Sequence, residues 1–264
     1  MVTPLVSYTL FLVIILINVA FFTLIERKIL GLRQNRKGPA KVSFIGLLQP
    51  VADAGKLFSK FYFIPLLSNK VIFSAGPILS ITLILLCWLI YDRAQGRLDV
   101  EFSVILLLTV VRMGIYPPFI AGWGSNNKYS LLGAFRGIAQ TVSYEVRFAF
   151  IIIRLFIVLS SLEVRGADYF GGETLRRRGL FIPLLPLWLV RCLAETNRTP
   201  FDFSEGEREL VSGFNTEYAR ALFAAIFMAE YGTIAFFRLI TPSFFLGGNI
   251  NQGLLILLGV VVMF

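Results

Sequence analysis

Two glutamates stand in stretches of sequence with almost no other charge. Glu230 is the only charged side chain in the run ALFAAIFMAEYGTIAFF. A carboxylate in an apolar helix is costly unless a partner, a water cavity or a proton satisfies it, so such a residue is a functional candidate by default. Glu145 lies in QTVSYEVRFAF, ahead of Arg147 and Arg154. At about 100° per residue, the two arginines share one helix face and Glu145 points roughly the other way. Glu145 is therefore expected to face protein interior or water, with an interhelical ion pair as the structural alternative.

The segment 195–217 concentrates Glu195, Asp202, Glu205, Glu207, Glu209 and Glu217 with Arg198 and Arg208. One reading is a solvated acidic loop with a capping box at Ser204 and Glu207. The other is a proton-collecting or cofactor-facing funnel. Phe201 and Phe203 sit among the charges, which favours a packed polar structure. Glu26-Arg27-Lys28 and Asp53 read equally as interfacial anchors and as functional groups. The chain has no histidine, and its two cysteines, Cys87 and Cys192, lie in apolar runs. They read as small apolar residues and not as a disulfide. No CxxC, GxGxxG or Walker pattern occurs, so resident metal, haem, iron–sulfur, flavin and nucleotide sites have no support.

The elements that must position these groups are membrane helices. Of 264 residues, 56% are hydrophobic and 16% charged, against roughly 25% charged in a soluble domain. The mean hydropathy is +0.76. The pattern predicts an all-α, polytopic helix bundle forming a single integral membrane domain. About 20 apolar residues cross the hydrocarbon core, which places about seven spans near 5–24, 71–91, 102–121, 131–159, 180–194, 218–237 and 244–264. Gly76-Pro77 predicts an irregularity in the second span, and Pro117-Pro118 the end of the third. Between the first two spans, 42–60 reads as an amphipathic surface helix interrupted at Pro50.

The net charge is +9, and much of it follows the first span: Arg27, Lys28, Arg33, Arg36, Lys37 and Lys41. By the positive-inside rule, loops 26–70 and 195–217 then face the cytoplasm or matrix. No nucleic-acid motif accompanies the charge, so a nucleic-acid partner is not expected. Arg176, Arg177 and Arg178 would face the other side, against the rule, and no role is assigned to them. The first 25 residues carry no charge and read as a retained span, not a removed signal. A last span beginning at Gly253 would be too short to cross.

Taken together, several motifs resemble subunit 1 of respiratory NADH:ubiquinone oxidoreductase, complex I. They are Glu26-Arg27-Lys28; Gly46 to Pro50 with Asp53 and Lys56-Leu57-Phe58; Gln140 to Glu145; Ala194 to Asp202, continuing through Glu205-Gly206-Glu207 to Glu217-Tyr218; and Met228-Ala229-Glu230-Tyr231. The resemblance runs in order from about residue 5 to 264. It implies a non-redox-centre subunit of an H+-translocating enzyme, with no complete active site of its own. Ubiquinone would be the substrate, and metal, flavin and nucleotide would be held by other subunits. Glu26, Arg27, Asp53, Arg198 and Phe227 would line or support the quinone tunnel. Glu145, Glu195, Asp202, Glu205, Glu207, Glu217 and Glu230 would form the proton relay. Partners would be membrane lipid and other complex I subunits, including those around the terminal iron–sulfur cluster. The expected location is the mitochondrial inner membrane, ahead of a bacterial plasma membrane. The family continues with an arginine-rich loop and an eighth helix, so the chain is expected to be either a fragment or one half of a split subunit that a separate small polypeptide completes.

Two other readings stay open on sequence. The anchor subunit of a membrane-bound hydrogenase belongs to the same superfamily, although Gly213-Phe214-Asn215 and the inner loop favour the respiratory enzyme. An independent proton-coupled transporter would use Glu145 and Glu230, but no internal repeat with paired broken helices is evident.

Overall fold

The computed structural model describes residues 2–60, 64–90, 103–159, 184–204, 206 and 213–246. Helices α1 (Val2–Arg33), α2 (Gln49–Ser59), α3 (Lys70–Ile90), α4 (Ser103–Met113), α5 (Tyr116–Gly124), α6 (Lys128–Leu159), α7 (Leu184–Glu195) and α8 (Arg220–Leu246) follow in order. Short 3-10 turns stand at Phe44–Gly46 and Gly213–Asn215. No strand occurs among the described residues, so the fold is an all-α bundle.

Four stretches are long and apolar enough to cross a membrane: Val6–Arg33, Lys70–Ile90, Ser103–Gly124 and Arg220–Thr241. The chain is thus a multi-pass membrane protein by length and composition. Residues 180–183 of the fifth anticipated span and 247–264 of the seventh lie outside the described residues, as do Arg176, Arg177 and Arg178.

Prolines account for three differences from expectation. Pro50 does not interrupt a helix but opens α2. Pro117 and Pro118 do not end the third span but lie in the first turn of α5. The missing N–H costs nothing in a first turn, where no intrahelical acceptor waits for it. The break falls earlier, at Gly114 and Ile115, whose amides bond back to Val111 and Arg112. In α3, Pro77 is buried inside a continuous helix. Beside it, a Cβ on Gly76 would lie 3.1 Å from the Ala121 backbone, so the small residue lets α3 and α5 meet closely.

α3 packs against α5 and α8, α5 against α6, α6 against α7, and α1 against α8. The larger core joins α3, α4, α6, α7 and α8 through Ile84, Leu107, Phe148, Trp188, Phe236 and Ile240. Trp188 stacks on Phe148 with centroids 5.3 Å apart, and its Nε1 donates to Thr241 Oγ1 at 2.9 Å. That bond satisfies the one polar atom of a side chain with no exposed surface. A second cluster, around Phe73, Ala121, Phe214 and Tyr218, ties the loop before α8 to α3 and α5. Tyr218 stacks on Phe73 at 4.2 Å and donates to its carbonyl at 2.9 Å. Both cysteines are free and buried.

Candidate functional site

α1 runs past the end of its apolar stretch, which carries Glu26 into the packed end of the bundle. Glu26 is 5% exposed. Its partner comes from the turn after α7. There the Thr196 and Arg198 amides bond to the carbonyls of Cys192 and Leu193, so the chain folds back on the helix end. Gln140 of α6 clamps that turn by donating to the carbonyls of Ala194 and Phe201, both at 2.8 Å. Backbone crowding helps: a Cβ on Gly133 would lie 2.9 Å from backbone atoms of Gly213, Phe214 and Ser204. Only glycine lets the loop lie that close to α6.

Held in this way, Arg198 grips Glu26 with two bonds, Nη1 to Oε1 at 2.7 Å and Nη2 to Oε2 at 3.1 Å. Burial works against the Arg198 cation, but the bond to Glu26 and its negative charge outweigh it, and the pKa rises. The same guanidinium lies 5.1 Å from the Tyr231 ring centroid. Tyr231 packs against Phe227 at 4.7 Å and Phe22 at 6.0 Å. Above Phe22 sits the Arg238 guanidinium, 4.1 Å from that ring.

Two cavities meet at Glu230. One, of about 170 Å³, is lined by Asn197, Arg198, Asp202, Phe227, Glu230 and Tyr231 among others. It gathers four of the residues singled out by sequence, and Arg198 ties Glu26 to it. The second, of about 140 Å³, has mostly apolar walls from α3, α4, α5 and α8, including Leu83, Val110 and Phe236. Two carboxylates, Glu195 and Glu230, line it as well. A site needs about 10–15 Å³ of such volume and several polar partners to admit one water, and the cavity at Arg198 and Asp202 offers both.

The two remaining relay candidates near this region each hold an arginine. Glu195 pairs with Arg191, one turn earlier on α7, and Arg191 lies 4.9 Å from the Phe148 ring. Glu145 pairs with Arg112 of α4, its own side chain 17% exposed. Glu145 stays off the Arg147–Arg154 face, and its partner comes from another helix. It also lies within electrostatic reach of Glu195.

Other candidates stand apart. Arg27 pairs with Asp53 at 2.8 Å on the exposed side of the α1–α2 junction, where Gln49 also donates to Asp53. Glu217 accepts from Asn127 at 2.6 Å and belongs to the loop packing before α8. Glu205 and Glu207 lie outside the described residues. Of the two loop aromatics, Phe201 packs edge-on to Tyr144 at 5.3 Å, while Phe203 is 54% exposed. Sequence reading missed Arg191 and Arg238. The spacing of Arg191 four residues before Glu195 is the standard signal for a helical ion pair. Arg238 had no such signal.

Comparison with known proteins points one way. The family described as NADH dehydrogenase matches residues 6–264. NADH-ubiquinone oxidoreductase chain 1 of Anopheles gambiae is 44% identical over 249 residues, 94% of this chain and 79% of the relative. The protein of that name from Lampetra fluviatilis is 41% identical over 264 residues, 99% and 82% of the two chains. The one from Mytilus edulis is 43% identical over 241 residues, 89% and 77%.

Proposed function

The chain belongs to the NADH dehydrogenase family, and from that premise we propose that it is a membrane subunit of a mitochondrial NADH–ubiquinone oxidoreductase. In this reading it forms part of the quinone tunnel and carries an acidic relay that couples quinone reduction to proton translocation. It works with redox subunits that hold the flavin and iron–sulfur centres. One observation carries the proposal: Glu230 stands in the wall of both cavities, the polar one at Arg198 and Asp202 and the apolar one at Glu195.

Reduction of a quinone to a quinol takes two electrons and two protons. The electrons come from the redox partners, and the protons must reach the quinone oxygens through the protein. A carboxyl group between a polar and an apolar cavity accepts a proton on one side and releases it on the other. Glu195 and Glu145, each held by an arginine, respond to that charge through the space between them. Around the polar cavity, Phe227 and Tyr231 offer apolar ring surface for an isoprenoid ubiquinone, with the Arg198 guanidinium beside them for oxygen that gains negative charge.

The test is Glu230→Gln in the assembled complex. Quinone reduction and proton pumping should fall by roughly 10²-fold, the low end of what a positioned proton-transfer group contributes. NADH oxidation by a water-soluble artificial acceptor should persist, because it bypasses the membrane subunit. Unchanged quinone reduction and pumping would remove Glu230 from the relay.

A further inference from the structure

Arg191 is the least exposed charged residue among those described, at 2%. It stands on α7 between Trp188 and Cys192, neither with any exposed surface. Its Nη2 pairs with Glu195, one turn on, and its guanidinium lies 4.9 Å from the Phe148 ring of α6. Among the described residues, its Nε and Nη1 have no hydrogen-bond partner. One carboxylate and one ring therefore hold this cation. Packing alone does not call for a cation in such a place. Exchanging a buried ion pair for apolar side chains of similar volume is often neutral or stabilising.

The effect of Arg191 depends on what else Glu195 faces. The apolar cavity that Glu195 lines also has Glu230 of α8 and Cys87 of α3 in its wall. Toward α6, Glu145 lies within electrostatic reach, paired in turn with Arg112 of α4. Cys192 lies beside the pair on α7 itself. Burial and the charge of Glu145 both favour a proton on Glu195, while the charge and hydrogen bond of Arg191 oppose it. An arginine keeps its own proton throughout, so this opposition acts at every working pH. Arg112 is less able to act on Glu145 in the same way, because its side chain is 56% exposed and solvent screens it.

We propose that Arg191 is a positioning residue of the relay: it orients the Glu195 carboxyl at the wall of the apolar cavity, and its buried charge sets the pH at which that carboxyl exchanges a proton. This rests on the reading of Glu195 as a relay member. It deepens that reading by naming the group that governs when Glu195 can act.

The test is the pH profile of quinone reduction in the assembled complex. Glu195→Gln should remove one limb of that profile. Arg191→Gln should keep the limb and move it to higher pH by about one unit, the low end of what a neighbouring cation does to a carboxyl group. The sign follows from the charge that is lost: without it the ionised form is less favoured, and the carboxyl keeps its proton to higher pH. Arg191→Lys retains the charge and should leave the limb close to its native position. A limb that Glu195→Gln removes but Arg191→Gln leaves in place would overturn this inference alone, as would an equal shift in Arg191→Lys. An unchanged rate and profile in Glu195→Gln would overturn the relay reading of Glu195 as well. If Arg191→Gln yields no complex, the double variant Arg191→Gln/Glu195→Gln decides. Removing a cation stranded by Glu195→Gln should raise the amount of assembled complex above that of Glu195→Gln alone, and the absence of a rise would overturn the inference.

Discussion

Glu26 and Arg27 are adjacent in sequence, and each makes one ion pair. Glu26 turns into the bundle and is gripped by two bonds from Arg198, 172 positions away. Arg27 turns outward to Asp53, with side chains 48% and 37% exposed. One helical step of about 100° separates a pair that organises a cavity from a pair that mostly sits in solvent. Charge type and motif membership are alike, so neither distinguishes the two. Burial does, because removing one member of a buried pair strands the other without water to replace it.

The sharpest test of that contrast is a double-mutant cycle on Glu26→Gln and Arg198→Gln. Breaking the buried pair costs about 3 kcal/mol, the low end of the range for such pairs, because Arg198 keeps some solvent contact. The coupling is read from thermal inactivation of quinone reduction in the assembled complex. A coupling no larger than that of an exposed pair would show that Glu26 is satisfied without Arg198. A smaller effect should come from Gln140→Leu, which leaves both ion pairs chemically intact. It removes the donor to the Ala194 and Phe201 carbonyls, at about 1–3 kcal/mol for buried groups left unpaired. Hydrogen exchange should quicken across 196–204, the turn carrying Arg198, and stay unchanged in α2, which carries Asp53.

The charged groups of the bundle were legible in the sequence to different degrees. Glu230 and Glu145 stood out because a lone charge in an apolar run has few cheap explanations. Helical periodicity also gave the correct negative result that Glu145 avoids Arg147 and Arg154. Periodicity assigns a face, however, and not what lies across from it. Arg112 came from another helix, and Arg198 from a loop whose path depends on Gln140 and on close backbone approach at Gly133. The prolines misled for a related reason: Pro50 and Pro117 mark a discontinuity, but only their position within a turn decides whether they end a helix or start one. Arg238 was the least legible, since its site above Phe22 exists only once α1 and α8 are packed.

The smallest expected effect belongs to the outer pair, and it completes the contrast from the other side. Gln49 shares Asp53 with Arg27, and both charged partners are substantially exposed. In solvent the attraction between them is screened, and holding two side chains in register costs entropy. The cycle on Arg27→Gln and Asp53→Asn should therefore give about 0–1 kcal/mol. That value should shrink as salt is raised, because the Debye length falls from about 10 Å at 0.1 M to about 3 Å at 1 M. The Glu26–Arg198 coupling, shielded by Tyr231 and the bundle around it, should hardly change over the same range. If Arg27–Asp53 proved strong and insensitive to salt, its surface would have to be covered in the working assembly. The α1–α2 junction would then be an interface and not a solvated edge.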